Sequence, residues 1–371
     1  MKKVLFLIHD LGPGGAEKVL VNLVNHMDPG KFDITVLSLF DVGVNRQFLA
    51  PHVHYRWCFR RMFRGNSHVM KFLTPARLHR WLIKEKYDIE ISYLEGPSAR
   101  VIGGCQDPDT KKLTWIHCTA NKKSNVTLGF RSYREARDAY GSMDRVICVA
   151  RTVEQGFCNV FPDAGNTMVL YNTNDSRKIQ ELAAEPLDRV RQPGEFRMIC
   201  MGKLIPVKAL DRMLRIHKRL REEGYRVYTD LLGDGILRPE LEEKVRQLHL
   251  EDSVTFLGYL TNPYPYLADS DLFVCSSLSE GFSTAATEAL IVGTPVCTVE
   301  VSGMKEMLGA NNEYGVVTDN DEEALYRGIK SLLDDPALLA HYKQQAKIRG
   351  KDFSTEETVR AVEEILDSLM E

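Results

Sequence analysis

The chain has 371 residues, of which 44% are hydrophobic and 27% are charged, and its formal net charge at pH 7 is −3. This length is typical of two domains, and the composition excludes an intrinsically disordered chain and a globally basic nucleic-acid-binding protein. No stretch approaches the roughly 20 apolar residues of a membrane-spanning helix, so we do not expect an integral membrane protein.

Short apolar runs alternate with amphipathic stretches along the chain. The runs are apolar throughout, as in parallel strands buried on both faces. They predict strands over 4–8, 34–39, 53–57, 89–93, 113–117, 145–149, 168–171, 198–201, 228–232, 254–257, 272–275, 296–298 and 315–317. The stretches between them predict helices that include 16–26, 74–86, 210–223, 238–248 and 284–292. This alternation predicts a doubly wound α/β fold.

The least regular central stretch, 172–195, contains Pro186, Pro193 and Gly194. We place the domain junction there, which gives two Rossmann-like domains, 1–171 and 172–353. Ser354, with Glu357 three residues later, forms a capping box that predicts a terminal helix within 354–371. We expect this helix to pack back on the first domain.

The eight cysteines do not follow the spacing of common metal or disulfide sites. None belongs to a Cys-x-x-Cys pair, and four lie in apolar runs, namely Cys148, Cys200, Cys275 and Cys297. Buried free thiols occur in such runs. We therefore expect neither a zinc site nor a disulfide framework, and we expect a cytoplasmic protein.

A glycine-rich loop follows the first predicted strand and opens the first helix. It contains Gly12, Gly14 and Gly15, and glycines at a helix start allow an anion to approach the free backbone N–H groups. A simple tight turn is the alternative. The spacing differs from the Gly-x-Gly-x-x-Gly of nicotinamide-binding domains, although Asp41 follows the second strand, where a ribose-binding acid could lie.

Two lysines follow the first strand of the second half. Lys203 and Lys208 lie at the carboxyl end of a predicted parallel strand, where both can reach phosphate oxygens. A solvated surface loop is the alternative explanation.

Two carboxylates flank the predicted start of a later helix. Glu280 precedes it and Glu288 lies about one turn inside it, while the amides of residues 282–284 fall at its N-terminus. Such an N-terminus can bind a diphosphate. Exposure on the helix surface is the alternative for Glu288, but its apolar neighbours indicate a buried helix, where an unpaired carboxylate is costly.

Glu280 and Glu288 have the spacing of the E-x7-E motif, and the chain resembles the retaining GT-B glycosyltransferases of family 4, often called group 1. Further matching positions follow in the family's order, densely in the second half and thinly in the first: 14–17, 202–203, Lys208, 232–235, 254–258, 268–269 and 293–296. The ordered set is far more specific than any one of its parts.

The resemblance implies roles for individual residues. Lys203 and Lys208 would hold the nucleotide diphosphate, Glu280 would face the transferred sugar, and Glu288 would bind the ribose hydroxyls. His117, after an apolar strand, matches the histidine beside the donor sugar, although a packed strand-end histidine is the simpler explanation without the resemblance. The other implied donor contacts are Gly15, Gly233, Tyr259, Thr261, Gly281, Phe282 and Ser283. The family usually has arginine at the position of Lys203, so this contact loses the bidentate guanidinium.

The same residues suggest how the leaving group is stabilised. Two lysines and a helix N-terminus can neutralise a departing diphosphate without a metal, and the sequence contains no Asp-x-Asp motif. We therefore expect no metal and no cofactor, the nucleotide sugar being a substrate. The resemblance implies front-face transfer with retention, in which the leaving phosphate helps to deprotonate the acceptor.

Two basic blocks lie in the first half. Residues 51–86 contain nine lysines and arginines against one acid, with Trp57, Phe59, Phe63, Phe72 and Trp81 interleaved, and residues 111–137 contain seven against one. Basic and aromatic side chains together suit anionic lipid headgroups or an anionic glycan. An ordinary solvated face is the alternative, and without a binding motif we do not expect nucleic acid.

The sequence as a whole predicts a cytoplasmic glycosyltransferase, peripheral at the inner membrane face. It would move a sugar from a nucleotide sugar, expected to be a UDP-sugar, to a glycan or lipid-linked acceptor in cell-surface polysaccharide biosynthesis. A GT-B nucleotide-sugar epimerase and a non-catalytic GT-B partner subunit are the alternatives. An epimerase would need no acceptor, and a non-catalytic subunit would not need the lysines and glutamates that this chain retains.

Overall fold

The computed structural model describes residues 1–62, 70–118, 123–301 and 303–370. The chain forms two compact units, Met1–Asn174 with Thr355–Glu371, and Asp175–Ser354. The first unit is therefore assembled from two separate segments of the sequence.

The first unit contains a seven-stranded parallel sheet with strand order β3-β2-β1-β4-β5-β6-β7. The central strand β1 is completely buried from Val4 to Ile8, which explains its unbroken apolar run. The strands are β1 Lys2–Ile8, β2 Phe32–Phe40, β3 His54–Phe59, β4 Ile89–Ser92, β5 Lys111–Ile116, β6 Arg145–Cys148 and β7 Thr167–Val169.

The second unit contains a six-stranded parallel sheet with strand order β10-β9-β8-β11-β12-β13. Its strands are β8 Phe196–Met201, β9 Val227–Leu232, β10 Val254–Gly258, β11 Leu272–Cys275, β12 Val296–Val299 and β13 Val316–Thr318. Both sheets confirm the predicted doubly wound α/β fold of each half.

Helices connect the parallel strands, as this topology requires. In the first unit they are α1 Gly15–His26, α2 Pro75–Leu82, α3 Pro97–Ile102, α4 Lys123–Val126, α5 Tyr133–Gly141 and α6 Arg151–Val160. In the second unit they are α7 Ser176–Ala183, α8 Leu210–Glu222, α9 Arg238–Gln247, α10 Tyr264–Asp269, α11 Thr284–Val292, α12 Met304–Leu308, α13 Glu322–Asp334 and α14 Pro336–Gly350. The final helix, α15 Thr355–Ser368, belongs to the first unit.

Two expectations about local structure are wrong. The stretch 172–195 contains helix α7, because the side chain of Asp175 accepts the N–H of Lys178 at 3.2 Å and caps it. Part of the remaining stretch is tied to the second sheet by Arg189, whose Nη1 lies 2.7 Å from Oδ2 of buried Asp230. Helix α2 ends at Leu82 rather than at residue 86, since the backbone at Ile83 is already extended.

The terminal helix α15 packs within the first unit. Oγ1 of Thr355 donates to the carbonyl of Asn174 at 2.7 Å, and Nζ of Lys2 lies 2.7 Å from Oδ1 of Asp367. Val362 and Leu366 are buried. In the part of the chain that is described, no helix combines the length and the apolarity needed to cross a bilayer.

In each sheet, the strand order runs in opposite directions on the two sides of one strand. Strand β1 lies between β2 and β4, and strand β8 lies between β9 and β11. In open parallel sheets, ligands bind beside the carboxyl ends of such strands. The loops after β8 and β11 in the second unit, and those after β1 and β4 in the first, are therefore the places to look for a site.

Candidate active site

A depression opens at the carboxyl ends of β8 and β11 in the second unit. It encloses about 340 Å³, part of which is open solvent. Its lining comes from the ends of β8, β9 and β11 and from the loops that follow β8 and β11. The lining residues include Gly202, Lys203, Lys208, Ser276, Ser277, Glu280 and Ser283. The structure therefore brings four of the predicted site residues, Lys203, Lys208, Glu280 and Ser283, to one place.

Glycines let three strand ends approach one another at this depression. Gly202 and Gly233 have φ angles of +152° and +130°, which favour glycine. The N–H of Gly202 donates to Leu232 at 2.9 Å, and the N–H of Gly233 donates to Gly258 at 2.8 Å. A Cβ on Gly233 would lie 1.9 Å from the carbonyl oxygen of Gly202, so no larger residue fits there without a shift of the backbone.

Lys208 and Glu280 form the charged centre of the depression. Nζ of Lys208 donates to Oε1 of Glu280 at 2.6 Å, and Oγ of Ser277 donates to the same oxygen at 2.6 Å. The side chains of Lys208 and Glu280 are only 24% and 12% exposed. Both partners are therefore held in place, and a bound anion would compete with the carboxylate for the ammonium group.

Lys203 differs from Lys208 in its surroundings. It is exposed, and no acidic partner lies within ion-pair distance of it among the described parts of the chain. An unpaired ammonium group at the rim can bind an incoming anion without first breaking an ion pair.

Helix α11 begins at the same depression. Ser283 is its N-cap, and its side-chain oxygen accepts the N–H of Ala286 at 3.3 Å. Phe282 is buried and packs edge-on against Phe353, with 5.8 Å between ring centroids, and Gly281 precedes it. The positive end of this helix is thereby fixed beside Ser283, where it favours a negatively charged ligand.

The residues predicted to contact the nucleoside lie around this centre. Glu288 is in the second turn of α11 and is buried, and the hydroxyl of Tyr264 donates to its Oε1 at 3.2 Å. Tyr259 follows the end of β10 directly and is 52% exposed, and Thr261 is also exposed. The assignment of these three residues to the nucleotide stays a prediction.

Sequence reasoning missed Arg212 in helix α8. This arginine is buried, and its guanidinium donates to the carbonyls of Ser276 and Ser277 and to Oδ1 of Asn320, the last at 2.9 Å. It therefore fixes the backbone of the loop that carries Ser277 and Glu280. In the sequence it is one of several arginines in an amphipathic helix, so no local signal distinguishes it.

The first unit contains the other two predicted residues, Gly15 and His117. Gly15 is exposed and is the first residue of α1. The preceding turn is closed by Asn45, whose Nδ2 donates to the carbonyl of Gly12. A Cβ on Gly43, at φ +127°, would lie 2.0 Å from the backbone of Leu11, so this turn is also closely packed.

His117 follows β5, and its ring lies 5.0 Å from that of Tyr93. Its backbone N–H donates to Oε2 of Glu95 at 2.9 Å, a contact that the sequence did not indicate. Burial lowers the pKa of His117 to about 3, so the ring is neutral near pH 7. Its Nε2 is buried and has no hydrogen-bond partner within the described ranges.

One cluster in the first unit has the residue types of a metal site. The potential ligand atoms of His79, Glu90 and Cys105 all lie within 4.8 Å of one another, and Nε2 of His79 is 2.7 Å from Oε2 of Glu90. Burial alone would lower the pKa of His79, but hydrogen bonds to Cys105 and Glu90 raise it to about 9. These groups satisfy one another, so we interpret the cluster as a buried ion pair that fastens α2 to β4.

Two family models match the chain. The model described as Glycosyltransferase Family 4 matches residues 13–177, and the model described as Glycosyl transferases group 1 matches residues 186–349. Together they span most of both units.

Two curated relatives match this chain over most of their own length. One is the N-acetylgalactosamine-N,N'-diacetylbacillosaminyl-diphospho-undecaprenol 4-alpha-N-acetylgalactosaminyltransferase of Campylobacter jejuni, which is 26% identical over 95% of this chain and 96% of that protein. The other is a lipopolysaccharide core biosynthesis glycosyltransferase of Rhizobium meliloti, which is 25% identical over 89% of this chain and 88% of that protein.

Among solved structures, the Anabaena protein HepE in complex with UDP and glucose is similar in fold. Its TM-score is 0.78 at 20% identity, over 99% of this chain and 100% of that chain. The two sheets, the two family models and the full-length relatives lead to the same conclusion. The chain belongs to the group 1 glycosyltransferases of family 4 and is a transferase with the GT-B fold of two Rossmann-like domains.

Proposed function

We propose that this enzyme transfers a sugar from a UDP-sugar to a lipid-linked glycan acceptor in cell-surface polysaccharide biosynthesis, with retention of anomeric configuration. One observation carries the proposal. Lys203, the ion pair of Lys208 with Glu280, and the N-terminus of α11 border a single depression.

This arrangement suits the departure of a nucleotide diphosphate. The exposed ammonium group of Lys203 and the N–H groups at the start of α11 would bind the diphosphate first. Lys208, held in place by Glu280, would direct its remaining N–H groups at the leaving oxygen as negative charge develops there. Glu280, still bonded to Ser277, would be free to accept hydrogen bonds from hydroxyls of the donor sugar. Expulsion of the leaving group would thus use only residues of this chain.

The substrates and ligands of similar proteins support the choice of substrates. The Campylobacter relative acts on a diphospho-undecaprenol-linked acceptor, and the Rhizobium relative takes part in lipopolysaccharide core biosynthesis. HepE is described as a complex with UDP and glucose. For the present chain we therefore propose a uracil nucleotide and a polyprenyl-diphosphate-linked acceptor. The retaining outcome is supported by the E-x7-E resemblance.

A basic face in the first unit supports attachment to a membrane surface. We define it by the exposed residues Arg60, Arg61, Arg77, Arg80 and Lys84, with Trp57, Phe72 and Trp81 beside them in the sequence. Phe72 is 85% exposed, which is costly in water and favourable in a lipid interface. Phe63 and Arg64 of this block, and Lys122 of the second block, lie outside the described residues.

Ion pairing reduces the charge that the two blocks can offer to a lipid. In the first block, Arg56 is paired with Glu85, and Lys86 with Asp107 and Asp109. In the second block, three arginines have acidic neighbours: Arg131 with Glu135, and Arg134 and Arg137 with Asp138. We therefore assign membrane attachment to the basic face rather than to residues 111–137.

A nucleotide screen followed by a transfer assay tests the function. UDP should raise the melting temperature more than GDP, since a ligand at 100 times its dissociation constant adds about 2.7 kcal/mol to the free energy of unfolding. A panel of UDP-sugars with a polyprenyl-diphosphate-linked sugar should then give one product, and NMR should show the donor's anomeric configuration in the new linkage.

The same assay distinguishes the alternatives. Glu280→Gln should abolish most transfer, whereas Glu222→Gln should not. Glu222 is a matched control because it is also paired with a lysine of the second unit, Lys218, at 3.4 Å, but on the solvent-facing side of helix α8. Isomerisation of the UDP-sugar without an acceptor would instead identify an epimerase. Nucleotide binding without any turnover would identify a non-catalytic subunit.

A further inference from the structure

Arg212 occupies a position that is unfavourable for an arginine. It lies in the first turn of α8, where the helix dipole opposes a positive charge, and the residue is only 6% exposed. In the described ranges, the hydrogen-bond acceptors of its guanidinium are all neutral oxygens, so no carboxylate pairs with it directly. Burying a charge is costly unless it is well hydrogen-bonded. The stability of this arrangement therefore depends on the oxygens that hold the guanidinium.

The guanidinium links loops at the carboxyl ends of three neighbouring strands, β11, β12 and β13. Nε of Arg212 donates to the carbonyl of Ser276 at 2.8 Å, and Nη2 donates to the carbonyl of Ser277 at 3.1 Å, directly after β11. Nη2 also donates to Oδ1 of Asn320 at 2.9 Å, just after β13. Nδ2 of Asn320 in turn donates to the carbonyl of Glu300 at 3.4 Å, directly after β12. Arg212 and Asn320 thus form a clamp across the three loops.

The clamp ends on both members of the charged pair in the depression. Oγ of Ser276 donates to the carbonyl of Lys208 at 2.9 Å, and Oγ of Ser277 donates to Oε1 of Glu280 at 2.6 Å. Both serines are buried. A shift of these two serines would therefore displace Glu280. Lys203 lies in a different loop, and none of the contacts of the clamp involves it.

We infer that Arg212, supported by Asn320, is a positioning residue that sets the place of Glu280 against the donor sugar. The inference rests on the proposed function, which gives Glu280 that role. Arg212 itself does not line the depression, so it acts through the loop. Its planar guanidinium donates in several fixed directions at once, whereas the ammonium group of a lysine has the same charge but is a compact point donor. The shape of the side chain, and not its charge alone, is what the loop requires.

Three variants test this role. Arg212→Lys keeps the charge but loses the planar guanidinium, and turnover should fall about 10-fold or more, because a displacement of about 1 Å can cost 10²-fold in rate. Asn320→Ala removes one support of the guanidinium and should lower turnover several-fold; Asn320 is exposed, so this variant should fold normally. Arg215→Lys is the matched control, because Arg215 lies on the same helix but is 41% exposed and pairs with Asp211 and Glu322. It should leave turnover unchanged.

Combination with Glu280→Gln separates positioning from a general loosening of the fold. Once Glu280 is replaced, the group that Arg212 positions is gone, so Arg212→Lys should lower the residual turnover far less than it does in the wild type. Calorimetry gives a second readout, the affinities for UDP-glucose and UDP-N-acetylgalactosamine relative to UDP. Each single variant should change these ratios, and the double variant should change them no more than Glu280→Gln alone. The affinity for UDP itself should stay the same, since the clamp holds neither Lys203 nor the start of α11.

The outcomes decide between the inference and its alternatives. A turnover of Arg212→Lys that matches the Arg215→Lys control would overturn the inference, and so would equal effects of Arg212→Lys with and without Glu280→Gln. If Arg212→Lys does not fold, Asn320→Ala must show the same non-additivity with Glu280→Gln, and its absence overturns the inference. If the wild type binds UDP but transfers no sugar, the proposed function fails, whereas the affinity ratios still decide whether Arg212 positions Glu280.

Discussion

Replacing Lys208 by alanine removes the positive charge that, in our proposal, stabilises the leaving diphosphate. The ammonium group lies 2.6 Å from Glu280, and both side chains are largely buried, so its position is fixed before the ligand binds. Loss of one such preorganised group typically lowers turnover 10²–10³-fold, or about 2.7–4 kcal/mol of transition-state stabilisation. Lys208→Arg keeps the charge but not the shape, and we expect it to recover part of this loss.

The same substitution should have a smaller effect on folding. Glu280 loses its cation but keeps the hydroxyl of Ser277, and a buried acceptor deprived of a partner costs about 1–3 kcal/mol. Initial rates over a range of donor concentrations give the turnover number and KM, and thermal unfolding gives the change in stability. Lys218→Ala is the control, because Lys218 is 33% exposed and pairs with Glu222 on the surface of α8. A folded Lys208→Ala enzyme that matches this control in turnover would refute our account of the leaving group.

Three further predictions follow from other parts of the molecule. Activity should persist in a brief excess of EDTA, because two lysines and a helix N-terminus can stabilise the diphosphate; full loss that magnesium or manganese restores would contradict this. The protein should co-sediment with anionic vesicles more than with neutral ones, and less at high salt, since each basic residue near the lipid contributes about 1 kcal/mol and salt screens it. Substituting glutamine at Arg77, Arg80 and Lys84 should weaken this binding, and equal, negligible binding to both vesicles would remove the membrane proposal. Burial lowers the pKa of His217 to about 4, so its contribution to stability is present above pH 6.5 and is lost as pH falls toward 4. Melting temperatures of His217→Gln should therefore depend less on pH over this range than those of the wild type, and parallel curves would contradict the assignment.

The fold was largely predictable because its signals are local. Buried parallel strands require continuous apolar runs, and β11 and α11 have the predicted bounds. Helix α7 was not predicted, although Asp175 is a good N-cap residue, because the prolines that follow it suggested an irregular segment. Helix α2 was predicted too long because the polar residues after Leu82 are also compatible with a helix.

Residues of the candidate site could be predicted only where they belong to a recognisable sequence motif. The grouping of Lys203, Lys208, Glu280 and Ser283 at one depression could be predicted because all four lie in loops after apolar strands. Arg212, Glu95 and the Ser277 hydroxyl were missed because their importance depends on partners that are distant in the sequence or hidden in backbone geometry. A single sequence does not show which arginine of an amphipathic helix turns inward, or which carboxylate reaches the backbone of a neighbouring strand.

The membership of α15 in the first unit has a practical consequence for dissecting the enzyme. A fragment that stops at Asn174 would lack Thr355, Val362 and Leu366, and would expose the surface that they cover. Removing the last helix from the full chain would likewise damage the first unit, not the second unit to which it is joined in sequence. A soluble first unit would therefore be obtained by replacing residues 175–354 with a short flexible linker, and the second unit by expressing those residues alone.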